Sequence, residues 1–227
     1  KFVFNEDLFT RGYGLNLKLG IIARPLEFIR LGAAFHVPTF YFLHDRFSSD
    51  IMARYDPDLN IASKTAESPL GEYDYRLKTP SKFVGSAAVT IGKYGLVSVD
   101  YERINYTHAN LEGSDYGFVI ENTAINDNFQ STNNLRMGAE LRLGPGYLRG
   151  GYAIYGSPLK VVDPEADSKY SVLSGGAGFR NSDFFLDLSY ANGMSSEAYY
   201  MYVPEMTTGS VNKSNLNNVI MTVGFRF

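Results

Sequence analysis

The last ten residues, 218–227, alternate strictly between apolar and other side chains. In an extended strand, side chains two apart share a face. One face carries Val219, Met221, Val223, Phe225 and Phe227, and the other carries Asn218, Ile220, Thr222, Gly224 and Arg226. A strand with one apolar face that ends on an aromatic residue is typical of the closing strand of a transmembrane barrel. The stretch therefore predicts a β-barrel in an outer membrane.

The composition agrees with strands of this kind. The chain has 227 residues, 15% aromatic residues and 22 glycines, and these values favour a β-rich protein with tight turns. No run approaches the roughly 20 apolar residues of a membrane helix. The chain has no cysteine, which excludes disulfides and Cys-based metal sites, and its net charge of −3 gives no reason to expect nucleic acid. We expect a single domain over residues 1–227.

Apolar and polar side chains alternate at every second position in several segments of the chain, and this pattern predicts about nine antiparallel strands. Their segments are 12–23, 29–37, 73–91, 97–101, 134–143, 147–155, 170–180, 184–190 and 218–227. We expect odd positions of 73–91 to share one apolar face, Tyr101 to lie opposite Gly85, and Arg180 to face Asp183. Residues 1–11 are predicted to be irregular. Leu17, Leu141 and Val223 should point outward to lipid, whereas Asn16, Arg142 and Arg226 should point inward.

The predicted connections alternate between short and long. Short turns are expected at 24–27, 92–94, 144–146 and 181–182, and long loops at 43–70, 107–131, 157–168 and 192–212. Outer-membrane barrels have short periplasmic turns and long extracellular loops. Because bacterial barrels have even strand numbers, nine strands predict that an N-terminal portion precedes this chain. In that case residues 13–23 should not pair with residues 216–227, and both edges of the sheet should be unpaired.

Several stretches together resemble the FadL/TodX-like family of outer-membrane transporters for long-chain fatty acids and aromatic hydrocarbons. They are residues 12–20 (GYGLNLKLG), 37–40 (VPTF), 96–102 (LVSVDYE), 136–142 (RMGAELR), 149–155 (RGGYAIY) and 224–227 (GFRF). The resemblance implies a fourteen-stranded barrel of which this chain is the C-terminal part. It implies that the hatch and the laterally open strand lie upstream. It also implies passive transport in the outer membrane of a Gram-negative bacterium.

Charged side chains of both signs recur on the face predicted to point inward. They are Arg30, Asp100, Glu102, Arg136, Glu140, Arg142, Arg149, Arg180 and Asp187, accompanied by Lys18, Asp183 and Arg226. Arg and carboxylate groups on neighbouring strands form bidentate pairs, so we expect an ion-pair lattice in the lumen. The alternative is that an arginine outside the lattice receives the carboxylate of a ligand.

Apolar side chains also occur in the predicted loop 43–70, namely Phe47, Ile51, Met52 and Tyr55. Their spacing is close to helical. Two interpretations remain open, which are packing of the loop on itself and a surface that collects a hydrophobic ligand on the outer side. In the resembled family the corresponding loop helps to form the first ligand groove. We therefore take these four residues as candidate ligand-binding residues.

No pattern points to catalysis, and we expect no enzyme activity, no cofactor and no metal. His36, His44 and His108 have no ligand spacing, and no nucleophilic Ser accompanies them in a motif. The main hypothesis is passive transport of hydrophobic small molecules by a monomer whose other partner is outer-membrane lipid. The alternatives are a structural or adhesive barrel that acts through its long loops and, less favoured, a barrel hydrolase.

Overall fold

The computed structural model describes residues 1–55, 62–160, 169–199 and 210–225. Fourteen strands account for most of them. The strands are β1 (Phe2–Leu15), β2 (Lys18–Leu26), β3 (Ile29–His36), β4 (Phe40–Ala53), β5 (Lys64–Glu67), β6 (Gly71–Lys78), β7 (Lys82–Ile91), β8 (Gly95–Asn105), β9 (Asn110–Gly113), β10 (Ser131–Leu143), β11 (Gly146–Tyr155), β12 (Tyr170–Arg180), β13 (Phe184–Tyr199) and β14 (Ser210–Phe225). A 3-10 helix covers Tyr106–His108, and one α-helix, α1, covers Val119–Asn128. Within the described residues, neither helix has the length and apolar content that a membrane crossing requires.

The strands form two antiparallel sheets. The larger has nine strands in the order β14-β13-β12-β11-β10-β8-β7-β3-β2, and the smaller has the order β1-β4-β6-β9 with β5 attached to β4. Each of these four strands of the smaller sheet is joined along the chain to a strand of the larger sheet, and neighbours keep the same order. Backbone bonds from Val37 N to Leu17 O and from Thr79 N to Thr39 O, both 2.9 Å, connect strands where the sheets meet. The smaller sheet therefore extends one part of the larger sheet.

The short connections all lie at one end of the nine-stranded sheet, as expected. They are residues 27–28, 92–94, 144–145 and 181–183, and we call this end the turn end. The opposite, loop end carries the long connections. β2 and β14 lie at opposite ends of the strand order, and the described residues contain no pairing between β14 and either β1 or β2. The expectation that the N-terminal and C-terminal strands do not pair is thus confirmed for these residues.

Several segments predicted to be irregular or loops are strands. In the loop predicted at 192–212, β13 continues to Tyr199 and β14 begins at Ser210. Residues 2–15 pair with residues 40–53 over fourteen positions, so the predictions of an irregular start and of a loop at 43–70 were wrong. The reason is that β4 carries apolar residues on both faces. Phe40 and Phe42 point to one side, and Tyr41 and Leu43 point to the other. Alternation, on which the prediction relied, is absent from such a strand.

Two predicted strands are each divided where the sheets meet. Segment 12–23 breaks at residues 16–17, because the Asn16 side chain donates to Val37 O at 2.7 Å and to Thr39 Oγ1 at 3.0 Å. Segment 73–91 breaks at residues 79–81, where Pro80 has no N–H to give to a ladder. The other joints between the sheets are residues 37–39 and 106–109. The predicted loop at 107–131 contains β9 and α1.

The nine-stranded sheet has one apolar face and one charged face. Paired residues of neighbouring strands point to the same side. The register places Leu141, Leu148, Ala177, Leu188 and Met221 on the apolar face in adjacent strands. Tyr101 lies opposite Gly85 on this face, as expected. Arg226 and Phe227 lie outside the described residues.

Side-chain parity changes between the two sheets. Even-numbered residues of β3, β7 and β8 belong to the charged face, but the odd-numbered residues of β4, β6 and β9 continue that face. Gly14 and Tyr41 of the smaller sheet surround one cavity of about 940 Å³ together with Lys18 and His36 of the charged face, which shows the continuity. At the joint 16–17, even-numbered residues stay on the same face from β2 to β1. At each of the other three joints the alternation shifts by one residue, so that odd-numbered residues take the face that even-numbered residues had before.

The polarity of the sheet is therefore inverted beyond the joints. The charged face continues as an aromatic face, which carries Leu43, Phe47, Tyr73, Tyr75 and Leu111. The apolar face continues as an ion-pair face, where Arg46 contacts Glu72 at 3.1 Å and His44 contacts Asp74 at 2.8 Å. The expectation that odd positions of 73–91 share one face was wrong for this reason, since Tyr73 and Phe83 point to opposite sides.

The sheets contain almost no conventional core. Among the described residues, Ile104 is the one apolar side chain that is buried, at 6% exposure. On the apolar face, by contrast, Val219 is 72% exposed and Leu188 is 52% exposed. A sheet of this kind needs something other than its own side chains to cover both faces.

The joint at Thr39 and Thr79 offers a test of this arrangement. Thr79 Oγ1 accepts from Thr39 N at 2.9 Å, so Thr79→Val leaves that N–H without its partner. We expect a local loss of about 1 kcal/mol. Amides of β4 and β6 next to the joint should then exchange about fivefold faster in hydrogen-exchange mass spectrometry, with β10–β13 unchanged. Thr90→Val, which removes only a 3.4 Å contact to Phe28 O at the turn end, is the control. Unchanged exchange in β4 and β6 would contradict the role of the joint.

Candidate functional site

An ion-pair lattice occupies the charged face near the turn end. Glu140 accepts from Nε of Arg142 and from Nε of Arg149, both at 2.8 Å. Nη1 of Arg149 then reaches Asp187 at 3.0 Å, and Nη2 of Arg180 lies 4.0 Å from the other oxygen of Asp187. These five residues come from β10, β11, β12 and β13. The structure thus brings five of the predicted lumen residues together in one network that crosses four strands.

The ring of Tyr147 contacts three arginines of the lattice. The guanidinium carbons of Arg142, Arg149 and Arg180 lie 5.7, 5.7 and 5.5 Å from its ring centre, which are cation–π distances. A Cβ at position 178 would collide with the Asp187 carboxylate, so Gly178 provides the space for that side chain. The sequence analysis missed Tyr147. It could have been identified from the sequence, because it directly follows the predicted turn at 144–146 and therefore lies opposite Arg142.

A second polar cluster lies on the same face nearer the loop end. Glu102 is buried, at 7% exposure, and accepts from Nδ2 of Asn134 at 2.7 Å. Its other oxygen lies 3.1 Å from Nζ of Lys82 and 4.0 Å from Arg136. Lys82 and Asn134 were not among the predicted residues, because only the strand register places them beside Glu102.

The other predicted charged residues do not join these clusters. Arg30 and Asp100 lie on the charged face, but neither forms an ion pair within 4.0 Å among the described residues. The expected pairing of Arg180 with Asp183 was wrong. Arg180 lies opposite Phe185 in the register and approaches Asp187 instead, because Asp183 belongs to the turn.

The histidines have ordinary polar partners. His44 contacts Asp74, and His108 contacts the Asn105 side chain at 2.9 Å. His36 lies beside the large cavity at the joints. In the part of the chain that the structure describes, no three His, Cys, Asp or Glu side chains are grouped closely enough to hold a metal ion.

A separate cavity of about 530 Å³ lies on the aromatic face. We call it the aromatic cup, and it is lined by Asp45, Phe47, Glu72, Tyr73, Tyr75, Leu111, Tyr116 and Phe118. The Phe118 ring lies 5.0 to 5.9 Å from the rings of Tyr73, Tyr75 and Tyr116. Tyr73 and Tyr75 are stacked at 6.0 Å. The cup therefore presents several ring faces and edges to one space.

Phe118 is held in an uncommon backbone conformation. Its φ of 50° and ψ of 30° place it in the left-handed region directly before α1. For a bulky residue this conformation costs energy and persists only where the surroundings fix it. The neighbouring rings fix it from one side. From the other, the Asn122 side chain of α1 both donates to Leu111 O and accepts from Leu111 N, each at 2.9 Å.

The four candidate ligand residues are not brought together. Phe47 lines the cup and lies directly over Gly71, and Ile51 is on the same face of β4. Met52 points to the ion-pair face, and Tyr55 follows the end of β4. The near-helical spacing of these residues does not correspond to a helix, because β4 is extended through Ala53. Among residues the sequence analysis missed, Asp45, Tyr116 and Phe118 reach the cup.

Carboxylates beside the cup affect its tyrosines. Burial, and then the charge and hydrogen bonding of Asp45, raise the pKa of Tyr75 above its ordinary value. A hydrogen bond from the Tyr116 hydroxyl to Glu121, 3.1 Å long, likewise raises the pKa of Tyr116. The protonated, hydrogen-bond-donating form of both tyrosines is therefore favoured more strongly than in a free tyrosine.

Comparison with solved structures shows what fold this is. The chain is similar to the toluene transporter TodX of Pseudomonas putida, with 14% identity, a TM-score of 0.53 and coverage of 93% of this chain. The chain has a TodX-like β-barrel fold. A second TodX structure gives 14% identity, 92% coverage and a TM-score of 0.54. A Pseudomonas aeruginosa FadL homologue gives 9% identity and a TM-score of 0.46, and covers 94% of this chain and 67% of its own.

The chain spans about half the length of the TodX structures, namely 48% of each. No protein-family model matches the chain. No curated protein matches its sequence either. The fold of this chain is thus shown by structure and not by sequence similarity.

The lattice predicts a specific pattern of stability. Glu140→Gln should lower the free energy of unfolding by about 1–2 kcal/mol, because Arg142 loses its anionic partner and Arg149 loses one of its two. Asp100→Asn is the matched control on the same face, and it should change stability by less than about 0.5 kcal/mol. Urea unfolding of the protein in lipid vesicles measures both. Equal stabilities for the two variants would show that the lattice does not stabilise the sheet.

Proposed function

We propose that the chain forms part of an outer-membrane barrel of a Gram-negative bacterium that lets hydrophobic small molecules pass by diffusion, without covalent chemistry. The observation that carries this proposal is the change of polarity at the joints. It places an aromatic surface with a cup on the continuation of the charged face. The fold, which is that of a toluene transporter, supports the same conclusion.

In this proposal the nine-stranded sheet crosses the membrane with its apolar face in lipid. Burial of a large apolar side chain is worth about 1.5–3 kcal/mol, so an apolar face of this extent is stable in hydrocarbon and unstable in water. The charged face then lines the lumen. The five-stranded sheet extends beyond the membrane on the side of the long connections, where its ion-pair face meets water.

The aromatic cup is proposed as the place where a ligand first binds. Phe47 is the candidate ligand residue that lines it, and Ile51 extends the same surface. The lattice at the turn end is proposed to hold the wall in shape, since Glu140, Arg142, Arg149 and Asp187 pair with one another. Arg30 is an arginine of the charged face that lacks an ion pair among the described residues. It is therefore a place where an anionic group could pair.

Membrane topology can be tested with spin labels at two adjacent positions of β13. A label at Leu188 lies on the apolar face, and a label at Ser189 lies on the charged face. In vesicles, oxygen should relax the Leu188 label more strongly, and a water-soluble nickel chelate should relax the Ser189 label more strongly. Similar responses at both sites would contradict the proposed lipid contact. Leu188 is a better site than Leu17, which lies at a joint between strands.

Entry through the cup can be tested by uptake of toluene into vesicles that contain the full-length protein. Phe47→Ser should reduce the rate about threefold or more, because it removes one aromatic wall of the cup. Met52→Ser is the matched control, since Met52 lies five positions along the same strand but on the ion-pair face. If toluene enters no faster with the protein than without it, a structural or adhesive barrel would be the better description.

A further inference from the structure

We propose that the aromatic cup binds organic cations, that is, molecules with an apolar body and a positively charged nitrogen, with Asp45 as the counter-ion. The inference rests on the proposed role of the cup as a ligand site and goes beyond it by naming the charge of the ligand. It stands on the arrangement of carboxylates and rings around one cavity.

Asp45 is the first observation. It lies on β4 opposite Tyr73, within the aromatic wall. The Tyr75 hydroxyl interacts with its carboxylate, but Oδ1 is buried without a close hydrogen-bond partner among the described residues. A carboxylate oxygen in such surroundings is costly unless something pairs with it. Arg46, the next residue of β4, points to the opposite side of the sheet and contacts Glu72. It therefore cannot act as the counter-ion of Asp45. A bound cation would supply the missing partner.

Glu121 is a second and independent observation. One of its oxygens accepts from the Tyr116 hydroxyl, whereas Oε2 is buried and has no partner among the described residues. Two carboxylates with an unpaired oxygen thus flank the same aromatic cluster. No Lys, Arg or His of the described chain lines the cup. The electrostatic potential inside it is therefore negative, which attracts cations and repels a carboxylate ligand.

The rings complete the recognition. The Phe118 ring lies within about 6 Å of the rings of Tyr73, Tyr75 and Tyr116 in several orientations, and Tyr73 and Tyr75 stack on each other. Such a group of ring faces is what attracts alkylated ammonium ions through cation–π interaction. The left-handed conformation of Phe118 shows that this ring is held in place at a cost, as residues of binding sites often are. The apolar part of the ligand would contact Phe47 and Leu111.

Isothermal titration of the full-length protein in lipid nanodiscs tests the proposal with three probes of similar size. They are benzyltrimethylammonium, benzyl alcohol and phenylacetate, which are cationic, neutral and anionic. We expect the cation to bind at least about tenfold more tightly than phenylacetate. Asp45→Asn should weaken binding of the cation about tenfold and leave benzyl alcohol unchanged. Phe118→Leu should weaken it about threefold.

The matched control is Asp74→Asn. Asp74 lies on the same sheet but on the ion-pair face, where it contacts His44, so its neutralisation should not change the affinity for the cation. Equal loss in both aspartate variants would overturn the proposal, because it would indicate a general effect of charge. Equal affinity for all three probes would overturn cation selection, and so would absence of binding, for instance because another segment of the protein fills the cup. In either case the toluene measurement with Phe47→Ser decides separately whether the transport proposal stands.

Discussion

The structure depends on one constraint of antiparallel sheets, which is that directly paired residues point to the same side. Nine strands in continuous register therefore share one apolar and one charged face. A shift of one residue exchanges the faces of everything beyond it. This exchange takes place at residues 37–39, 79–81 and 106–109. The break at 16–17 involves no such shift, and with the register between β1 and β4 this keeps the side chains of all four strands on matching faces. The same side of the strand array is therefore charged in the larger sheet and aromatic in the smaller sheet that extends it.

The joints are built so that a break in the strand does not leave backbone groups unpaired. Asn16 donates to Val37 O, and the Thr79 hydroxyl accepts from Thr39 N, where regular ladders would otherwise stop. Side chains thus replace part of the backbone ladder at the positions where Pro38 and Pro80 cannot donate. This allows the parity to change at a small energetic cost. For that reason the strands can continue from one sheet to the other although the polarity of their faces is exchanged.

The nine-stranded sheet could be predicted from sequence, whereas of the five-stranded sheet only residues 12–15 and 73–78 were predicted to be strand. Alternation identified segments such as 134–143, because Leu141 meets only one environment and Arg142 meets another. In β4, Tyr41 and Phe42 are both apolar and point to opposite faces, so the periodic signal vanishes and a loop was predicted. The lattice was predicted as a set of charges, but its pairs required register. Arg180 was assigned to its neighbour in sequence, Asp183, and in fact approaches Asp187.

The polar groups of the two regions differ in how completely they are paired, and this difference separates a structural from a ligand-binding role. In the lattice, each oxygen of Glu140 has a guanidinium partner, so its carboxylate is fully paired, although Nε of Arg180 is buried without a hydrogen-bond partner among the described residues. At the aromatic cup, Asp45 in the lining and Glu121 behind Tyr116 each keep a buried oxygen without a partner in the described chain. An unpaired buried oxygen is destabilising, and a fold that retains two of them beside one cavity forgoes stability there. Such a cost is understandable where a ligand provides the missing partner, and for this reason we propose ligand recognition for the cup and stabilisation of the wall for the lattice.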